Sequence, residues 1–150
     1  MRDRRFVRIH RGGLLTVEDH RMLLTWALSC ALHVADISRV IKLQQAVQTA
    51  RNWLDGTVST GAAMNAARIV HSYARQVEKP LDRLVARAVG QAVATAHMAD
   101  HCLGAAWYAL NIVKESNGNV DIELQWQKEQ LAAFPMHLSE LICSTMRKIS

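Results

Sequence analysis

A chain of 150 residues, half of them hydrophobic, has room for one domain and can bury about 70% of its unfolded surface without disulfides or metal. Only seven glycines and two prolines exclude collagen-like and Pro/Gly-rich disordered chains, and no apolar run reaches the length of a membrane span. The net charge of +5 sits at one end: Arg2, Arg4, Arg5, Arg8 and Arg11 against Asp3 give the first eleven residues a local +4, leaving +1 for the rest.

The elements follow in chain order. Residues 1–15 read as a basic arm and turn, with a weak strand signal at 4–9, and residues 16–150 as a single helical domain. Thr16-Val17-Glu18-Asp19 has the pattern of a capping box. Leu23, Leu24, Ala27, Leu28, Ala31 and Val34 then recur at helical spacing and predict a helix over 17–36. A second stripe from Ile41 to Leu54 ends at Asp55-Gly56. Ala63, Ala66, Ala67, Val70, Ala74 and Val77 predict a third helix over 60–78.

Pro80 suits the first turn of a fourth helix, which runs without another proline to the stop at Ser116-Asn117-Gly118-Asn119. It is expected as one long central helix, in which Gly90 and Gly104 permit close backbone approach or mark a kink near Gly104. Gly90, His97, His101, Gly104 and Tyr108 lie opposite its apolar face, so the histidines should look into a crevice or onto another helix. A fifth helix over about 120–133 and a short sixth from Pro135 complete an all-α, compact bundle of five to six helices. The 21 alanines let its helix axes approach closely.

His97-Met98-Ala99-Asp100-His101 is the constellation that points to chemistry. Histidines at i and i+4 of a helix project from one face and can share a metal, with Asp100 beside them. His33 and Asp36, on the first helix, could be brought opposite to complete the ligands or supply a base. Tyr108 belongs to the same polar stripe. No Glu lies between the histidines, so the metalloprotease pattern is not met. The structural alternative is a buried polar network in which each imidazole finds a hydrogen-bond partner. If His97 and His101 shared Asp100 in the interior, stability would fall below about pH 6.

A second candidate is His10-Arg11-Gly12-Gly13, where a glycine pair, an arginine and a following helix N-terminus can bind an anion or simply make a turn. Nucleophile patterns are lacking: there is no G-x-S-x-G elbow, and Cys30 and Cys102 fall in apolar helices where burial makes thiols inert. With Cys143 they form no short-spaced pair, which predicts reduced thiols and a cytoplasmic protein. Trp26, Trp53, Trp107 and Trp126 fall one per helical segment, as core residues or interface anchors.

The chain resembles the immunity-five-like family of immunity proteins from bacterial polymorphic toxin systems. One block carrying the likeness is His10-Arg11-Gly12-Gly13, Leu15-Thr16, His20-Arg21, Trp26-Ala27, Cys30-Ala31 and His33-Val34. The other runs from Ala92 through His97-Met98-Ala99-Asp100-His101 to Leu103-Gly104-Ala105-Ala106 and Tyr108-Ala109. The resemblance implies an all-helical bacterial protein that neutralises a cognate toxin by binding it, without catalysis and without a cofactor. Immunity proteins against basic nucleases are often acidic, and this chain departs from that pattern. The residues alone keep three other expectations open. They are a transition-metal protein or enzyme on His97, Asp100 and His101, a nucleic-acid-associated protein using the arginine arm, and a homodimer through apolar helix faces. No membrane partner is expected.

Overall fold

The computed structural model describes residues 2–147. Among them are seven α-helices: α1 (Val17–Val34), α2 (Ile41–Leu54), α3 (Thr60–Gln76), α4 (Pro80–Ala94), α5 (His101–Glu115), α6 (Val120–Gln130) and α7 (Met136–Thr145). Short 3-10 turns cover Arg4–Phe6, Ile9–Arg11 and Leu131–Ala133. There is no strand among the described residues. The segment with strand signal makes turns and one isolated bridge between Arg8 and Leu15.

Local signals explain most boundaries. Thr16 caps α1, its hydroxyl accepting the Asp19 N–H at 3.0 Å. Asp19 does not return the bond as a capping box would: its carboxylate accepts the His137 Nε2–H at 2.9 Å and ties α1 to α7. Ser59 and Asn119 cap α3 and α6 in the same way. Pro80 occupies the first turn of α4, where its missing N–H costs nothing.

The expected count of five to six helices is corrected to seven because the long central helix is two. It breaks at residues 95–100, upstream of Gly104, and α4 and α5 fold back against each other. The buried face of α4 is built from Ala86, Ala88, Val89, Gly90, Ala92, Val93 and Ala94, so α1, α2, α3 and α5 all pack on it. Small side chains are what allow four neighbours around one helix.

Two buried polar links close the far side. Trp26, fully buried, donates its indole N–H to the Gln127 carbonyl at 3.0 Å, and the Gln127 side-chain amide donates to the Ala106 carbonyl at 3.0 Å. The basic N-terminal segment is no free arm. Phe6 and Leu15 are buried in the core, and the Arg4 guanidinium holds the turn by donating to the Gly12 carbonyl at 2.9 Å.

Candidate functional site

The site begins where α4 stops. The Thr95 hydroxyl bonds back to the Gln91 carbonyl at 3.0 Å, and the Thr95 carbonyl accepts the Nε2–H of His20 at 2.6 Å. That carbonyl is the acceptor a continuing helix would need for the amide of Ala99. Instead the chain turns through shorter-range bonds, among them His97 N–H to Ala94 O at 3.1 Å and His101 N–H to Met98 O at 3.0 Å. His97 therefore lies in the turn and His101 opens α5, their rings 5.4 Å apart and tilted by 46°.

The expected ligand set is dispersed by its hydrogen bonds. His101 donates its Nδ1–H to Gln91 Oε1 at 2.9 Å, and Asp100 faces Arg2 at 3.5 Å. His97 Nδ1 is buried without a partner. Among the described residues no group of three or more His, Cys, Asp or Glu side chains is placed to hold a metal ion. Gly104 is where α5 makes room for Gln91, since a Cβ there would lie 2.5 Å from the amide oxygen.

The polar layer continues onto α3. Arg87 donates to His71 Nδ1 at 2.8 Å, and the His71 ring packs against Gly90. Burial, followed by the positive charge of Arg87 and the neighbouring His101, holds the His71 imidazolium pKa down to about 4. Burial also lowers His97 and His101, reinforced at His97 by His101, Arg68 and Arg2 and opposed at His101 by Asp100. His20 is lowered by burial too, with Arg8 adding to it. The fold thus carries a cluster of imidazoles that stay neutral at neutral pH.

The N-terminal turn arrives at this same place. A cavity of about 150 Å³ opens between it and the α4–α5 turn, bordered by Arg2, Arg8, His10, Arg11, His20 and His97. No carboxylate lines it. Thus His10 and Arg11 of one sequence candidate and His97 of the other share one crevice. Gly12 and Gly13 serve the turn instead: their N–H groups are spent on the Ile9 and Arg8 carbonyls, at 3.0 and 3.1 Å. Gly12 supplies the left-handed backbone, with φ at +88°.

The other candidates lie elsewhere. His33 is thirteen residues along α1 from His20, about 20 Å at 1.5 Å per residue. There it donates its Nδ1–H to the buried carboxylate of Glu123 at 2.7 Å and stacks on Trp126, ring to ring at 3.5 Å. Asp36 is exposed and accepts the Ser38 N–H at 3.0 Å in the loop after α1. Tyr108 is half-buried on α5, edge-on to Trp107. Sequence reasoning missed Arg8, His20, Thr95 and the Arg87–His71 pair as site residues. Arg8 signals only as one arginine of a basic segment, and the others only as polar residues in helical stretches, which does not say what meets them.

Fold and site together define a small helical-bundle protein whose polar groups converge on a basic, imidazole-lined crevice. By comparison with family models, it belongs to the family described as "Imm-5 like putative immunity protein", matched over residues 13–134. Arg2, Arg8, His10 and Arg11 of the crevice lie outside that match, whereas His20, Thr60 and His97 lie within it. Comparison with curated proteins and with solved structures gives no match.

Proposed function

We propose that this chain neutralises a cognate protein toxin by binding it, without catalysis of its own. The observation that carries this reading is the family match over residues 13–134. The toxin-binding face in this reading is the N-terminal segment. Ile9 and Leu14, each 60% exposed, and Val17 stand on a segment that also exposes Arg4, Arg5 and Arg11. An apolar centre with a basic rim is the composition of a protein-binding patch that selects an acidic surface. The alternative patch around Trp126 is less suited, because Glu123 is buried against His33 and Trp126 is covered by the same ring.

The test is capture by the tagged full chain from its own cells, after nuclease treatment and a salt wash. Each captured protein is then expressed in an indicator strain with and without this chain. The expected result is a protein that arrests growth alone and is silenced by the wild-type chain. The Ile9→Asp/Leu14→Asp variant, folded by circular dichroism, should fail to silence it. Captured proteins that never arrest growth refute the immunity reading, and unchanged rescue by the variant refutes the face.

A further inference from the structure

The crevice between the N-terminal turn and the α4–α5 turn has a charge balance that needs explanation. Arg2, Arg8 and Arg11 border a space of about 150 Å³ that no carboxylate lines. Asp100 meets Arg2 only at 3.5 Å, on a side chain that is itself well exposed. Packing guanidinium groups together without an anion is electrostatically unfavourable, more so where water is partly excluded.

The orientation of the groups is specific. His20 gives its Nε2–H to the Thr95 carbonyl, which leaves Nδ1 as an acceptor for Arg8 Nη1 at 3.3 Å. Arg8 is thereby held at the wall with its remaining N–H donors uncommitted by that bond. Thr60, the first residue of α3, accepts the Trp53 indole N–H at 3.0 Å, so its own hydroxyl proton is available. It also places the positive end of a 17-residue helix at the rim. His97, on the opposite wall, carries a buried Nδ1 that no protein atom satisfies.

We propose that this crevice binds a tetrahedral oxyanion, either free phosphate or a terminal phosphoryl group. Arg8 and Arg11 supply the charge, the Thr60 hydroxyl supplies a directed hydrogen bond, and Arg2 closes over the mouth. Guanidinium groups match phosphate oxygens with paired N–H donors, which is why arginine rather than lysine suits the site. The cavity admits a phosphate with a few waters, while a larger group attached to it must extend through the opening. The site borders the proposed toxin-binding face and shares Arg11 with it, but Ile9 and Leu14, on which that face is tested, are not among its lining residues.

The test titrates the full-length protein with inorganic phosphate at constant ionic strength, with sodium chloride as the control and adenosine 5′-monophosphate as a second probe. Binding is read by calorimetry and phosphorus NMR line width. Phosphate should bind saturably at one site per chain, chloride should not compete at matched ionic strength, and Arg8→Gln/Arg11→Gln should weaken binding at least tenfold. Arg39→Gln/Arg75→Gln, on exposed arginines elsewhere, should bind as the wild type does. If the double crevice variant misfolds by circular dichroism, Arg11→Gln alone, at an exposed position, must still weaken binding several-fold. Tighter binding of the nucleotide identifies a phosphoryl group on a larger molecule, and equal binding identifies free phosphate. Non-saturating behaviour with both probes, or wild-type affinity in the folded crevice variants, overturns the proposal.

Discussion

Gly13→Ala tests whether the N-terminal segment is built into the domain. A Cβ on Gly13 would overlap the backbone carbonyl of Val7, the same carbonyl that accepts the Leu15 N–H at 2.9 Å. Backbone cannot rotate aside as a side-chain tip can, so the turn must open. Its opening draws Phe6, 3% exposed, out of the core. Removing a buried Phe from its site forfeits about 1.5–3 kcal/mol, and the loss is capped because a detached segment regains chain entropy. We therefore expect about 2 kcal/mol of destabilisation, or about 4–8 °C in Tm for a chain of this length. Gly12→Ala is the matched comparison. It meets no atom within 4 Å and costs only the left-handed backbone at φ +88°, about 1 kcal/mol. Thermal unfolding by circular dichroism reads the energies, and limited trypsin digestion reads the cause. Arg4, Arg5, Arg8 and Arg11 should become cleavable in Gly13→Ala while Gly12→Ala keeps the wild-type pattern. A Gly13→Ala protein with wild-type Tm and wild-type digestion would refute the packing of this segment.

Three further outcomes follow from the interior. Unfolded His71 titrates near 6.5 and folded His71 at about 4, so unfolding takes up a proton between those values and stability, full above pH 6.5, falls toward pH 4. The whole shift corresponds to about 3 kcal/mol, which screening at a half-exposed ring reduces to about 1–2 kcal/mol. His20, His97 and His101 act in the same direction, whereas the lowered carboxyls of Asp3 and Asp36 add losses only below about pH 3.8. A urea midpoint unchanged from pH 7 to 4.5 would contradict the cluster. Trp26→Phe removes the donor to the Gln127 carbonyl and should cost about 1–3 kcal/mol by urea unfolding; a cost below 0.5 kcal/mol, itself about the effect of a surface change, would show that link to be idle. Native protein should react with a thiol reagent at Cys143 alone, and at all three cysteines once unfolded, because Cys30 and Cys102 are buried and burial pushes both thiols up. More than one fast thiol in the native state would contradict that burial.

The helical class was legible because apolar spacing and caps are local. Thr16, Pro80 and the Asn117–Asn119 stop each act within a turn or two of the chain. The break after α4 was not legible, because Ala94-Thr95-Ala96-His97 contains no helix breaker. Where α4 stops, the Thr95 carbonyl is taken by the His20 imidazole, 75 positions away, a contact that no local pattern announces. The same distance effect hid the site. His10-Arg11 and His97 could each be singled out, but no periodicity places them on one cavity. His33 and Asp36 illustrate the converse, since adjacency on α1 suggested a shared role while Glu123 and Ser38 draw them apart.

The turn at residues 95–100 is also the point through which α5, α6 and α7 are kept on their own α1–α4. Residues 80–115 keep helical periodicity throughout, so the reversal is held by tertiary bonds from His20 to Thr95 and from His101 to Gln91 and by the packing of α5 on α4. Straightened, the segment would be one rod about 54 Å long, carrying α5, α6 and α7 away from their own α1 and onto that of another molecule. Each half would find the contacts it has now, in exchange between two chains. His20→Leu, which frees the Thr95 carbonyl, is the substitution expected to favour such an exchange, read as a change in molecular mass by light scattering.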